Sequence, residues 1–335
     1  MNKKSWTSFL IERIEPLKKS KPVGPLVVEI APTRGCNHKC IHCGFQQYSP
    51  YSNKKQFLPL HIYKSFVDDF VELGGKEIWF AGNGEPFLNP SFSDMVKYGA
   101  KKGLSIGVSS NVVNVDEQIV EDIIEHISWT KFSINGANEK TYSKVHQCNP
   151  KDFKRAIENI QLFTTYRNKS NNKPFISIQF IVMKENWMDI KQMVDIHTKL
   201  DVDKLIFRNV IKKEYVLVPI PNDVKNTLSQ ISHIKTIFIN WNSFNEKPIS
   251  NWTTCFGINF RINLSENGDL YTCCRDLTIP SIYGNIFENS FFDIWHSKRK
   301  KEIFENIYNF KDRSCCIKWC QCASDNIFID NFFNN

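Results

Sequence analysis

Apolar and polar positions change period at regular intervals along the first two thirds of this chain. Short apolar runs lie near residues 27–31, 77–81, 104–109, 131–135, 175–182 and 204–209. The stretches between them place apolar residues at helical spacing, as over 60–73 and 153–166. The runs predict buried strands and the intervening period predicts amphipathic helices. Regular alternation of the two predicts an α/β fold with parallel strands joined by right-handed crossovers, so that the loops after the strands gather at one end of the sheet.

The last third reads differently. A strand-like run at 260–264 is followed by the turn Glu266-Asn267-Gly268-Asp269 and a second run, Leu270-Tyr271-Thr272-Cys273-Cys274. Asn-Gly between two apolar runs predicts a β-hairpin. Behind it come Tyr283-Gly284-Asn285-Ile286, then Phe291-Phe292-Asp293-Ile294-Trp295-His296-Ser297, and a late group of thiols at Cys315, Cys316, Cys320 and Cys322.

Composition narrows the setting. A chain of 335 residues exceeds the usual single-domain length unless the fold is a barrel. No apolar run approaches twenty residues, and the start Met1-Asn2-Lys3-Lys4-Ser5-Trp6 lacks a signal-peptide core, which predicts a cytoplasmic protein without membrane contact. Eleven cysteines without an export signal predict metal ligation in a reducing compartment, not disulfides. The formal charge of +8 is spread over Lys-rich helical stretches and reads as solvated surface before it reads as a nucleic-acid site.

The densest chemistry lies just after the first apolar run, where Cys36, Cys40 and Cys43 are spaced Cys-x3-Cys-x2-Cys. This spacing lets three thiolates converge from one loop, and a 4Fe-4S cluster held by three cysteines keeps one iron open to a non-protein ligand. A zinc knuckle is the competing reading, although zinc sites more often pair Cys-x2-Cys arms into a closed four-ligand shell.

The stretch Ala31-Pro32-Thr33-Arg34-Gly35-Cys36-Asn37-His38-Lys39-Cys40-Ile41-His42-Cys43 resembles the cluster-binding loop of the radical S-adenosylmethionine (radical SAM) superfamily. One position departs: the residue before the third cysteine is usually aromatic, and here it is His42, a planar ring suited to packing near the adenine. Gly82-Asn83-Gly84-Glu85-Pro86 resembles the family's Gly-Gly-Glu-Pro loop around the SAM amino group. Glycines there let backbone carbonyls approach the ammonium, and Glu85 either adds charge or buttresses the loop. Ser109 and Asn111 resemble the polar end of the third strand, which meets the ribose or methionine part of SAM. Ser133 and Asn135 resemble the fourth strand, usually ending Ser-Ile-Asp-Gly, with Asn135 in place of the aspartate. A helix N-cap is the plain alternative for each polar strand end.

The resemblance implies a partial (βα)6 TIM-like barrel over about residues 20–215, SAM, a SAM-binding 4Fe-4S cluster, and an electron donor such as flavodoxin or ferredoxin. Reductive cleavage of SAM would give a 5′-deoxyadenosyl radical that abstracts hydrogen. The C-terminal order resembles the SPASM or twitch extension, a small cysteine-rich α+β domain, which implies a second, auxiliary 4Fe-4S cluster. Cys255, Cys273, Cys316 and Cys320 are its ligands by this resemblance. The usual closing Cys-x2-Cys pair is absent, so Cys315 and Cys322 also stay in play, and zinc remains the alternative metal.

The division implied is an N-terminal helical segment (1–19), the core (20–215), a linker (216–250) and the auxiliary domain (251–335). A complete six-unit pattern implies that the barrel folds independently of the extension. Arg208, at the end of the sixth run, is expected to face the cavity and orient a substrate oxygen or stabilise a ketyl anion, since its pKa is too high for a base. Cys148 is expected to be a small buried apolar residue.

Three functions follow: oxidation of a small polyol, sugar or aminocyclitol; crosslinking or epimerisation of a ribosomally made peptide; or non-catalytic iron-sulfur binding. Only about twenty-five residues precede the first strand, which leaves little room for a leader-peptide module and favours the small substrate. Retention of both cysteine groups and the Gly-rich loop disfavours the binding-protein reading.

Overall fold

The computed structural model describes residues 6–18, 23–43, 56–210, 221–244, 255–272, 282–308, 326, 327 and 329. Cys273, Cys274, Cys315, Cys316, Cys320 and Cys322 lie outside these residues. Each of the six apolar runs forms a strand: β1 (Val27–Ile30), β4 (Glu77–Phe80), β5 (Ser105–Ser110), β6 (Trp129–Ser133), β7 (Phe175–Val182) and β8 (Lys204–Asn209). A short antiparallel pair, β2 (Thr33–Arg34) and β3 (Gln56–Phe57), stands beside the sheet. The fourth strand begins and ends two residues before its run at 131–135. Beyond Ile134, whose amide still donates to the Gln179 carbonyl at 3.1 Å, a side chain replaces the backbone in the ladder, with Asn135 Oδ1 accepting the Ile181 amide at 2.6 Å.

Helices fill the intervals: α1 (Trp6–Lys18) precedes β1, and α2 (Leu60–Glu72), α3 (Phe92–Lys101), α4 (Glu117–Ile123), α5 (Glu139–His146), α6 (Lys151–Lys169) and α7 (Ile190–Lys199) follow in turn. In α2 the buried residues Tyr63, Phe66, Val67 and Phe70 recur at the spacing that lines one helical face. Along each strand alternate residues point to opposite faces. Ile78, Phe80, Ile106, Val108, Phe132, Ile178, Phe180 and Phe207 therefore join one core cluster beneath the helices. Glu29, Trp79, Ser109, Lys131, Gln179 and Arg208 fall on the other, concave face.

Within residues 216–250, expected as a linker, the chain forms α8 (Asn222–Ile231) and β9 (Ile237–Ile239), and β9 pairs in parallel with β8. The C-terminal part supplies β10 (Arg261–Leu264), β11 (Asp269–Tyr271), β12 (Ile282–Asn285), α9 (Phe291–His296) and α10 (Lys298–Tyr308). The hairpin that Asn267-Gly268 predicted is β10–β11, and β10 lies in parallel register on β1, from Val27 opposite Arg261 to Ile30 opposite Leu264. One ten-stranded sheet results, in the order β12-β11-β10-β1-β4-β5-β6-β7-β8-β9.

Barrel and extension thus share one continuous sheet. A bare β1 edge would expose a row of unpaired amides and carbonyls, and β10 covers it. Further contacts fasten the extension. Phe291 packs on Phe66 with ring centroids 4.8 Å apart, and Trp295 Nε1 donates to the Val23 carbonyl at 3.0 Å. Leu10 and Ile14 of α1 share a second core cluster with Phe256, Phe260 and Ile329. No helix among the described residues is long and apolar enough to cross a membrane.

Candidate active site

The cysteine loop leaves β1 and lies over the C-terminal ends of the neighbouring strands. Two backbone hydrogen bonds seat it on α5, Lys39 N–H to the His146 carbonyl and Ile41 N–H to the Val145 carbonyl, both at 3.0 Å. A tight turn from the Cys43 amide to the Cys40 carbonyl (3.0 Å) closes the loop between the last two cysteines. The Cys36 sulfur accepts from the His38 amide at 3.4 Å and from Asn111 Nδ2 at 3.7 Å.

Burial, reinforced by the charge of Glu85, pushes the Cys36 thiol up to about 12. Burial also pushes Cys40 well above the ordinary thiol range, with Cys36 and Cys43 adding to the effect. Such a group of mutually repelling sulfurs, half-enclosed and supplied with N–H donors, stays ionised only around a cation. The donor set is soft thiolate, and amide hydrogen bonds to the sulfurs suit an iron-sulfur cluster. The loop therefore fits that group.

Gly82-Asn83-Gly84-Glu85-Pro86 packs backbone to backbone against the cysteine loop. Gly84 bridges Gly35 in parallel fashion, and the Glu85 amide donates to the Gly35 carbonyl at 3.0 Å. A Cβ on Gly84 would stand 2.3 Å from the Gly35 oxygen and 2.5 Å from the Thr33 oxygen, so only glycine allows this approach. Gly82 has φ +92°, a left-handed backbone that disfavours any side chain.

Glu85 is 2% exposed. Its Oε1 accepts from the Ser110 hydroxyl at 2.6 Å and the Phe87 amide at 3.3 Å, and its Oε2 accepts from the Asn111 amide at 2.8 Å. Of the two roles open from the sequence, its carboxylate takes that of a buttress, tying the Gly-rich loop to the end of β5. Burial raises this carboxyl to about 7 despite its three donors.

The remaining strand-end residues divide. Asn111 reaches the cysteine loop, exchanging hydrogen bonds with Asn37 at 2.8 Å from its own Nδ2. Asn135 is fully buried, and besides holding Ile181 its Nδ2 lies 3.4 Å from His42 Nε2. Ser109 accepts from Trp79 Nε1 at 2.9 Å, and Ser133 is half-buried at the end of β6. None of Ser109, Asn111, Ser133 and Asn135 is a helix N-cap; Asn138 caps α5.

His42 is lowered to about 4, by burial first and then by the nearby charge of Arg208. The positions of Arg208 and His42 thus bring the concave face and the cysteine loop together. Cys148, expected to be buried, is only half-buried; its sulfur donates to the Asn149 carbonyl at 3.6 Å. Cys255 is half-buried just ahead of the short turn Gly257–Asn259 that leads into β10, beside Asn326.

Two features were missed in the sequence. Lys131 lies inside the barrel with Nζ 4.3 Å above the Trp79 ring, and burial, with Arg208 adding to it and Glu29 opposing, lowers it to about 8. The alternation phase of β6 carried that signal. Glu266, in the hairpin turn and 4% exposed, approaches Arg34 Nε at 3.9 Å and accepts from Asn83 Nδ2 at 3.3 Å. Nothing local marks it, because its partners lie more than 180 residues away. One carboxylate thus ties the extension to both loops of the site. Glu266→Ala is expected to weaken SAM binding about tenfold, roughly the loss of one good hydrogen bond to a charged group, at unchanged iron content. Equilibrium titration of the reconstituted variant with SAM checks this, and parental affinity would show that the clasp does not set the loops.

A half-barrel of parallel strands with a three-cysteine loop at its C-terminal end defines an iron-sulfur enzyme fold. The model of the radical SAM superfamily matches residues 30–196, and that of the SPASM iron-sulfur cluster-binding domain matches residues 255–323. The chain belongs to the radical SAM superfamily and carries a C-terminal SPASM domain, so its cofactors are SAM and 4Fe-4S clusters.

It is 26% identical over 302 residues to a tungsten-containing aldehyde ferredoxin oxidoreductase cofactor-modifying protein of Pyrococcus furiosus, covering 80% of each chain. It is 25% identical over 310 residues to an AdoMet-dependent heme synthase of Methanosarcina barkeri, covering 82% of each. Among solved structures, Streptococcus suis SuiB bound to precursor peptide SuiA superposes with TM-score 0.68 at 15% identity, over 95% of this chain and 75% of that one. Native anSMEcpe with bound AdoMet gives TM-score 0.62 at 16% identity, over 89% and 87%. At these identities the likeness to the solved structures is one of fold.

Proposed function

We propose that this enzyme oxidises a small polar substrate, a polyol, sugar or aminocyclitol, by hydrogen-atom abstraction inside the barrel. Cys36, Cys40 and Cys43 hold the first cluster, and residues 82–86 seat the methionine end of SAM, with His42, Ser109, Asn111, Ser133 and Asn135 around the rest. Cys255, Cys273, Cys316 and Cys320 hold the auxiliary cluster. When bound, the first cluster and SAM supply a 5′-deoxyadenosyl radical, and the auxiliary cluster supplies an acceptor for one electron.

The observation that carries this reading is the polar row on the concave face: Glu29, Lys131, Gln179 and Arg208, with Ser109 and Trp79 between them. Arg208 and Lys131 are placed to hold substrate oxygens, and the Trp79 ring excludes water from that side. Loss of a hydrogen atom from an alcohol carbon must be followed by loss of a proton and an electron to give a ketone. Lys131 Nζ, lowered to about 8, supplies a proton acceptor in its neutral form at mildly alkaline pH.

The test is Cys255→Ala combined with Cys273→Ala. Among the described residues β10, Phe291 and Trp295 fasten the extension to the barrel, and neither substitution touches them. 5′-Deoxyadenosine release should persist while substrate oxidation collapses, with the substrate found by screening polyols and aminocyclitols for stimulated SAM cleavage. Unimpaired oxidation in a double variant lacking the auxiliary cluster would refute the acceptor role. Stimulation by peptides alone would favour the second reading, a peptide maturase, which is supported by the shared fold of SuiB in complex with its precursor peptide.

A further inference from the structure

His146, at the end of α5, faces Cys40 from beneath the cysteine loop. Its Nε2 accepts the Asn135 backbone N–H at 3.1 Å, and a backbone amide can only donate. That nitrogen therefore carries the lone pair, and the proton of the neutral ring sits on Nδ1, which lies 3.1 Å from the Cys40 sulfur. The ring has little freedom to turn away. It is 1% exposed, stacks on Tyr142 with centroids 4.2 Å apart and planes at 25°, and meets His38 edge-on at 5.2 Å. The hydrogen bonds from Lys39 and Ile41 to the carbonyls of His146 and Val145 bracket Cys40, so sulfur and ring are held by the same backbone register.

We propose that His146 donates an N–H···S hydrogen bond to Cys40 and thereby raises the reduction potential of the cluster that Cys40 ligates, an inference that rests on Cys40 being a ligand. Reduction places added negative charge partly on the cysteine sulfurs, and a fixed donor stabilises the reduced form more than the oxidised one. Hydrogen bonds to the sulfurs are among the factors that set such potentials. Two backbone-held partners make His146 a positioning and tuning residue, not one that touches substrate.

The test uses anaerobically reconstituted protein labelled with ¹⁵N-histidine, reduced without SAM and measured by pulsed electron paramagnetic resonance on the signal that depends on Cys36, Cys40 and Cys43. A weak histidine ¹⁵N coupling is expected, retained in His42→Phe and lost in His146→Phe, which keeps an aromatic ring against Tyr142. In His146→Phe the equilibrium constant for reduction of that cluster should fall about tenfold, or about 59 mV for one electron. A coupling of the size of direct nitrogen ligation would overturn the proposal, since the thiol, histidine and His38 donors lie close enough to share a metal. So would the absence of any histidine coupling, or an unchanged potential. If His146→Phe fails to load its cluster, the couplings of the parent and of His42→Phe decide alone. Cys40→Ala retaining the complete first cluster would instead refute the ligand reading itself.

Discussion

Replacing Cys36, Cys40 and Cys43 together with alanine is expected to abolish 5′-deoxyadenosine release and to leave about half of the parental iron and sulfide, near four of each per chain against near eight in the parent. The halving follows from assigning the two thiol groups to separate clusters. The first loop follows the C-terminal end of β1 and is fastened to α5 and to the Gly-rich loop, whereas Cys255 precedes the start of β10, which runs parallel to β1 and pairs with it from Val27 opposite Arg261. Loss of one set therefore leaves the other able to bind its cluster. The parent, reduced with dithionite, should release 5′-deoxyadenosine slowly from SAM without any substrate, because cleavage belongs to the first site. Iron and sulfide analysis with chromatographic assay of 5′-deoxyadenosine reads both. Four iron and one zinc in the parent would sink the auxiliary-cluster assignment, and a triple variant that still cleaves SAM would remove the first loop from the chemistry.

Glu85→Ala is expected to cost about 3 kcal/mol of fold stability and to weaken SAM binding at least tenfold. The Phe87 amide, the Asn111 amide and the Ser110 hydroxyl all donate to this carboxylate in a site shielded from water. Each donor left without a partner costs on the order of 1–3 kcal/mol. Relief of the charge burial that lifts Glu85 to about 7 offsets part of this cost. The effect on SAM arises because the same three bonds fix the Gly-rich loop against β5. Glu85→Gln preserves size and the acceptor for Ser110 and Phe87 but turns an amide donor toward the Asn111 N–H, so it should fall between parent and Glu85→Ala. Urea unfolding and SAM titration of both variants measure this series. Parental stability and affinity in Glu85→Ala would refute the buttress.

The sequence by itself determined the chemistry of the loops and the order of the strands. Cys-x3-Cys-x2-Cys and Gly82-Asn83-Gly84-Glu85-Pro86 act within a few residues of themselves, and their spacing is a local property that sequence records directly. The six parallel strands were legible for the same reason, since alternating periods of about two and 3.6 residues report which face each segment buries.

Tertiary structure decided what depends on register between distant segments. The sheet does not stop at the barrel. β9 extends it at one edge, and β10 closes over β1 at the other, a pairing that needs only bare backbone and so leaves no side-chain signature. Glu266 joins Arg34 and Asn83, and His146 joins Cys40 to Asn135, only because folding brings together residues far apart in the chain, 183 positions for Asn83 and Glu266. The inward turn of Lys131 follows from strand phase, but its lowered pKa follows from burial first, with the Arg208 charge that another strand places nearby adding to it. Local spacing supplies the thiols, and the fold supplies the hydrogen bonds and charges around them.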